Sequence, residues 1–359
     1  MQPTLRLYQT EVVRTVIREW FRGNPRMVLQ LPTGSGKTVI AAEIVRRAST
    51  SRVLYVVPSE EIFEQTYEKL LNVGVKPTRL TAGLRPPLVK VQYLLAMAQT
   101  LHNRVKDGLF RDWDPTIVIT DEAHRLLDQH YQTLSYFASA RALALTATPV
   151  RLDGKGLAHV WPLLVQGPTL ADLRKAGALV PVRTLELPLI DTAKLKVRNG
   201  DYDLGQLARA FENAHAPYLA ALYWLQNAKE RKTVAFCPSV KTSQTLAAAL
   251  QTIGVRAAHL DGKSSGKQRE RTLEALENGE LDIVCNCGLF IEGLDVPSVS
   301  CILVCTSTMS MTKWLQMCGR GMRPAPGKTD LLVIDHGHCK RRLGDSSVDR
   351  DWTMGGMPL

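Results

Sequence analysis

Leu31-Pro32-Thr33-Gly34-Ser35-Gly36-Lys37-Thr38 stands between the apolar run Met27-Val28-Leu29 and Val39-Ile40-Ala41-Ala42-Glu43-Ile44-Val45. The spacing predicts a strand before it, a buried helix after it, and a glycine-rich turn joining the two. Gly34 and Gly36 let the backbone curl until its N–H groups face one point, an anion nest at a helix N-terminus. In such a nest Lys37 reaches the β- and γ-phosphates of a nucleotide and the Thr38 hydroxyl sits on Mg²⁺. The general phosphate-loop pattern wants glycine at position 31, where this chain has Leu. The remaining P-T-G-S-G-K-T is a narrower signature than the general loop.

Upstream, Leu5-Arg6-Leu7-Tyr8-Gln9 opens a helical pattern through Val12, Val13, Val16, Ile17 and Trp20, broken at Gly23-Asn24-Pro25. A Gln just before a phosphate loop can pair its amide with the donor and acceptor on the edge of adenine. Downstream, Val53–Val57 reads as a buried strand ended by Pro58 and Ser59, with Ser59 capping a helix to about Leu71. A weak strand follows near Arg79-Leu80-Thr81, and Gln92 to Asn103, containing Gln99-Thr100, reads as a helix.

The run Thr116–Thr120 leads straight into Asp121-Glu122-Ala123-His124. Two carboxylates at the C-terminal tip of a parallel strand lie across the crevice from a phosphate loop. Asp121 can then hold Mg²⁺ through water while Glu122 orients and deprotonates the attacking water. Leu143-Ala144-Leu145 makes a further strand, ending in Thr146-Ala147-Thr148-Pro149. Alternating strands and helices from residue 26 to 149 predict a doubly wound parallel sheet, an α/β fold.

With 359 residues the chain has room for two domains. Hydrophobic residues are 45% and charged residues 22%, the balance of a globular chain. No run of eighteen apolar residues predicts a membrane span, and the first residues lack the apolar core of a signal peptide. The net charge of +11 favours a polyanionic partner. Seven cysteines, without paired zinc-site spacing, read as buried thiols in a reducing cytosol.

Residues 150–178 are interrupted by glycines and prolines, and a second α/β cycle follows. Its strands are expected at Val180–Leu187, Thr233–Phe236, Val255–Leu260, Leu281–Cys285, Cys301–Cys305 and Leu331–Asp335. A polar, basic stretch covers Lys194 to Gly200; helices are expected at Leu204–Phe211, Pro217–Ala228, about Gly266–Leu276 and Met311–Cys318. Cys237-Pro238-Ser239 repeats the strand-then-Pro-Ser plan of Val57 to Ser59. Domains are therefore expected at 1–155 and 181–340, with a connection at 156–180 and a polar tail at 341–359. Arg320 and Arg323, three apart beside a helix, can point one way and neutralise charge building on a γ-phosphate.

The ordered set resembles a superfamily 2 helicase over roughly residues 5 to 340. The resemblance assigns Arg6 and Gln9 to adenine, Leu31–Thr38 to the triphosphate, and Asp121–His124 to the metal and water. It places Pro58, Ser59, Gln99, Thr100, Pro238, Ser239 and Gly288 on nucleic acid, and Gly293 and Asp295, late in the same motif as Gly288, on ATP. Gln316, Arg320 and Arg323 complete the catalytic set with Lys37 and Glu122; His124, Thr146 and Thr148 couple the two ligands. It implies two RecA-like domains with ATP and Mg²⁺ in a cleft between them and a single strand across their tops, held mainly by its phosphates. Ile291 departs from the pattern, because relatives carry Thr there. The loop, Thr81-Ala82-Gly83-Leu84, Leu260-Asp261-Gly262 and Gly319–Asp330 look closest to RadD-type and phage-encoded DNA helicases. The expectation is an ATP-driven motor on DNA forks or branched DNA, monomeric, in a bacterial or phage-infected cytoplasm, with DNA ahead of RNA as partner. The alternatives are an ATP-gated clamp or annealing module and a motor subunit of a restriction or repair complex.

Overall fold

A computed structural model describes residues 5–151, 154–289 and 296–356. Ile291, Gly293 and Asp295 lie outside the described residues. The chain divides into two compact units, Met1–Thr169 with Arg350–Leu359, and Leu170–Asp349.

The first unit runs α1 (Leu7–Phe21), β1 (Arg26–Gln30), α2 (Lys37–Arg47), β2 (Val53–Val57), α3 (Glu60–Asn72), β3 (Thr78–Leu80), β4 (Tyr93–Met97), α4 (Ala98–Lys106), β5 (Ile117–Thr120), α5 (Leu127–Tyr136), β6 (Arg141–Thr146) and β7 (Leu163–Gln166). Its strands form one parallel sheet in the order β3-β4-β2-β5-β6-β1-β7. Both faces are covered, so side chains alternate between two cores. Val53, Tyr55 and Val57 of β2 join Val13, Val16, Ile40 and Phe63 on one face. Leu54 and Val56 join Leu101, Trp113, Phe137 and Trp161 on the other.

Three sequence expectations need correction here. The stretch Gln92 to Asn103 is a strand, β4, followed by a shorter helix, α4. A strand apolar on both faces has no period-two signature, so Tyr93-Leu94-Leu95-Ala96-Met97 reads equally well as a helix turn. The interval 156–180 contains β7, which pairs with β1 at the sheet edge, and α6 (Leu170–Lys175). The segment from Arg350 groups with the first unit: Trp352 is buried, and its carbonyl accepts from Gln166 Nε2 at 2.8 Å. Trp352 and Met354 are the apolar anchors that make this return worthwhile in an otherwise polar segment.

The second unit continues after α6 with β8 (Val182–Glu186), β9 (Val197–Arg198), β10 (Asp201–Tyr202), α7 (Leu204–Asn213), α8 (Ala216–Ala228), β11 (Thr233–Phe236), α9 (Val240–Thr252), β12 (Ala257–Leu260), α10 (Gly266–Asn278), β13 (Ile283–Asn286), β14 (Cys301–Val304), α11 (Met311–Arg320), β15 (Leu331–Asp335) and α12 (Cys339–Leu343). A second parallel sheet has the order β12-β13-β11-β14-β15-β8. Cys237, Cys285, Cys301 and Cys305 pack into its core as small apolar side chains, and all seven cysteines are free thiols. The basic stretch at 194–200 folds into the antiparallel hairpin β9–β10. Asn199 and Gly200 both take positive φ at its tip, the geometry of a tight two-residue turn.

Candidate active site in the first unit

The phosphate loop leaves β1 and enters α2. Gly34 and Gly36 sit at φ +87° and +86°, where a β-carbon is strained. A β-carbon on Gly36 would also lie 2.6 Å from Gln9 Nε2. Gly36 is the N-cap of α2 and no side chain caps that helix, so its first-turn N–H groups are left for an anion. Leu31, where the general pattern has glycine, is wholly buried in the core, and its backbone N–H donates to Thr146 O at 3.0 Å. Its φ is not positive, so glycine is not required there. The Lys37 ammonium lies 3.4 Å from Leu31 O, folded back along the loop.

Two α1 residues brace this loop. Tyr8, which the sequence reading passed over, donates its hydroxyl to Ser35 O at 2.7 Å. Gln9 accepts from Arg6 N at 3.0 Å and reaches Ser35 O at 3.5 Å. Arg6 and Gln9 thus close an N-terminal capping box on α1 beside the loop.

Asp121 and Glu122 follow β5. Strand β6 lies between β5 and β1, so its C-terminal tip separates the acids from the phosphate loop and touches both sides. Toward the loop, Gln30 Nε2 donates to Ala147 O at 3.0 Å. Toward the acids, Thr146 Oγ1 lies 3.0 Å from His124 Nδ1. The same hydroxyl donates to Thr148 O at 2.9 Å and accepts from Thr148 N at 3.1 Å. With its proton directed to Thr148 O, the hydroxyl can only accept from His124, which fixes the Nδ1–H tautomer. Burial pushes the His124 pKa down to about 4, against the pull of Glu122, so the ring is neutral at pH 7.

Glu122 takes φ +50°, an unusual conformation for a side chain of its size. Its Oε2 is buried with no hydrogen-bond partner among the described residues and lies 3.4 Å from His124 Nδ1. An orphaned carboxylate oxygen beside an uncapped anion nest fits a site that receives water and a metal–phosphate group. Asp121 Oδ1 accepts from Glu122 N at 2.9 Å, and Tyr55, also missed by the sequence reading, approaches Oδ2 at 3.5 Å. Among the described residues no three His, Cys, Asp or Glu are grouped as a metal site. A magnesium held by Asp121 and Thr38 would therefore complete its shell with water and phosphate oxygens.

The expected nucleic-acid residues fare unequally. Ser59 stands at the N-cap of α3 but its hydroxyl makes no cap hydrogen bond, contrary to the capping expected of it. Ser239, at the equivalent place in the second unit, accepts from Thr242 N at 3.0 Å and caps α9. Gln99 is exposed and accepts from Gln129 Nε2, whereas Thr100 is buried. Pro238 and Gly288 share a pocket of about 170 Å³ with Lys313 and Asp201. On α11, Gln316 is buried and its Nε2 has no hydrogen-bond partner among the described residues, and Arg320 ends the helix. Arg323 lies beyond Gly321, which packs so closely on Leu331 that a β-carbon would come within 2.4 Å of it.

An uncapped phosphate loop and a buried acid pair on one edge of a parallel sheet, followed by a second parallel α/β unit, define a P-loop ATPase of the helicase class. The family described as "Type III restriction enzyme, res subunit" matches residues 2–151, and "Helicase conserved C-terminal domain" matches residues 215–325. A 51.5 kDa protein of Lactococcus phage (isolate 7-9) is 30% identical over 90% of this chain and 68% of its own length. The DNA 3'-5' translocase XPB2 of Sulfurisphaera tokodaii is 25% identical over 94% of this chain and 83% of its own length. Against fungal and archaeal-virus relatives the chain spans 52–60% of their length. The fold matches an HsdR-subunit fragment of a type I restriction enzyme from Vibrio vulnificus YJ016, with a TM-score of 0.71 at 18% identity, covering 96% of this chain and 67% of that one. The chain belongs to the superfamily 2 helicases, which are ATP-dependent enzymes. Among the described residues no helix is long and apolar enough to cross a membrane.

Proposed function

We propose that this protein is a monomeric ATP- and Mg²⁺-dependent motor on single-stranded or forked DNA, of the RadD-type and phage-encoded kind, working in the cytoplasm of a bacterial or phage-infected cell. The observation that carries the reading is the pairing, in one unit, of the uncapped Gly34–Gly36 nest with a buried Glu122 oxygen that has no hydrogen-bond partner among the described residues. In this reading the loop from Thr33 to Thr38 binds the phosphates, and Thr38 and Asp121 hold the cation, which screens charge on the γ-phosphate. Glu122 takes the proton of the attacking water. Arg6 and Gln9 read adenine, with Gly293 and Asp295 on the same nucleotide. Arg320, Arg323 and Gln316 serve it from the second unit.

Pro58, Ser59, Gln99, Thr100, Pro238, Ser239 and Gly288 grip the strand, and His124, Thr146 and Thr148 link grip to hydrolysis. A nucleic acid partner is favoured by the net charge of +11, and DNA by the kinship with XPB2, a DNA translocase by name. ATPase rates measured in parallel with single strands, duplexes, forks and RNA test the proposal. Forks and single-stranded DNA should stimulate most; equal or greater stimulation by RNA refutes the DNA assignment, and no hydrolysis refutes the motor. Strand displacement assayed beside strand annealing separates the motor from a clamp.

A further inference from the structure

The second unit carries an open cleft of about 540 Å³ lined by none of the ATP- or strand-motif residues. One wall comes from α12 and the residue before it, with His338 and the two cations Arg341 and Arg342. The other comes from the hairpin segment, with Leu195, Val197 and Tyr202.

Arg342 is tied into the cleft wall by several contacts. Its guanidinium donates to Ser307 Oγ at 3.1 Å, Thr308 O at 3.3 Å and Thr192 Oγ1 at 2.6 Å, and lies 4.9 Å from the centre of the Tyr202 ring. Every one of these partners is a neutral oxygen or a ring, and among the described residues no carboxylate pairs with Arg342. Its charge is held in place without being cancelled, as a preorganised anion site requires. Arg341 beside it is exposed. The one carboxylate in the cleft, Asp191, has an oxygen occupied by Ala193 N at 2.9 Å. Val197 and Met309, 51% and 38% exposed, give the cleft apolar surface next to its cations. Phosphate-seeking cations beside an open apolar shelf match a nucleic acid strand, whose charged backbone alternates with sugars and bases, better than a bare anion.

Position supports the same occupant. The cleft is built from segments that follow the C-terminal ends of β8, β14 and β15, the sheet edge on which Pro238 and Gly288 follow β11 and β13. Asp201 joins the two places. It lines the smaller pocket and accepts from Thr308 Oγ1, Met309 N and Lys313 Nζ, each at 2.8 Å, tying the hairpin to the start of α11. Desolvation opposes ionisation of Asp201, but these donors outweigh it and hold its pKa below the usual carboxylate value.

Resting on the proposed function, we propose that this cleft is a second phosphate-backbone site, which holds the strand beyond the motif residues and is tied through Asp201 to the helix bearing Gln316 and Arg320. Two measurements test it. Arg341→Gln, an exposed change that leaves the fold and basal ATPase intact, should remove one phosphate contact. For a single strand that lowers the slope of log affinity against log salt by about 0.7, which is roughly fivefold in affinity at 0.1 M salt. Ala193→Cys in a Cys287→Ser background, labelled with a photoreactive group, should crosslink to single-stranded DNA under saturating ATP. If wild type shows no nucleic-acid-stimulated ATPase, the proposed function itself fails. If wild type is stimulated but Arg341→Gln keeps affinity and slope and residue 193 does not crosslink, the cleft assignment alone is overturned. Loss of the crosslink to excess tripolyphosphate, with strand affinity unchanged, would instead give the cleft to a free polyphosphate.

Discussion

Thr146→Val is the sharpest test of the first unit's wiring. Valine keeps the β-branched shape and the strand conformation of β6, so the change reduces to replacing one hydroxyl by a methyl. That hydroxyl is wholly buried and holds three contacts: His124 Nδ1 at 3.0 Å, Thr148 O at 2.9 Å and Thr148 N at 3.1 Å. Without it, the His124 N–H keeps only the 3.4 Å approach to Glu122. A buried donor deprived of its partner costs about 1–3 kcal/mol, and the weakened Thr148 turn about 1 kcal/mol more. The added methyl returns roughly 0.8 kcal/mol of apolar burial. The expected net loss is about 1–3 kcal/mol, which lowers the urea midpoint by about 1 M for a slope of roughly 2 kcal/mol/M. ATPase should fall further than nucleotide affinity, because Thr146 no longer holds the His124 ring in place beside Glu122. Thr146→Ser retains the hydroxyl and should recover most of both. A valine variant within about 0.5 kcal/mol of wild type with normal stimulation by nucleic acid would refute the network. So would a serine variant as damaged as the valine one, since packing alone would then explain the loss.

Lys37→Ala and Glu122→Gln should both abolish hydrolysis, but only the first should lose nucleotide affinity in equilibrium titration, because Glu122 acts on water and not on the bound phosphate. Gly36→Ala should destabilise the first unit by about 1–2 kcal/mol in urea melts, from its φ of +86° alone. It should also weaken ATP binding by displacing Gln9. Burial holds His130 and His336 down at about 4, so between pH 4 and 6.5 the unfolded chain binds more protons than the folded one. Stability is therefore complete above pH 6.5 and falls on acidification, by about 2 kcal/mol per histidine at pH 5. His130→Gln should flatten that acid limb, and an unchanged pH dependence would remove the assignment. Ile291→Thr should tighten single-strand binding a few-fold at fixed salt without changing ATP affinity, through a new hydroxyl-to-phosphate hydrogen bond.

The sequence by itself determined the local chemistry. Gly34, Gly36, Lys37 and Thr38 between a strand and a helix admit one economical arrangement, because only glycine takes those positive φ values without strain. Asp121-Glu122 at the end of Ile117–Thr120 is legible in the same local way: a short apolar strand runs directly into two adjacent carboxylates. Contacts made at long sequence separation were decided only by the tertiary structure. Nothing in Tyr8 or Tyr55 distinguishes them from core aromatics until folding brings one to Ser35 O and the other to Asp121. Tyr93–Met97 could not be separated from a helix, since burial on both faces erases the periodicity that sequence reading depends on. Lys194 to Gly200 reads as a polar, basic stretch. It becomes the wall of a cleft because Asp201 finds Thr308, Met309 and Lys313 more than a hundred residues later, and Arg342 finds Thr192 and Tyr202 across a similar distance. Periodicity and turn chemistry act over a few residues, whereas sheet order and loop meeting points follow from how the whole chain packs, and no local pattern encodes them.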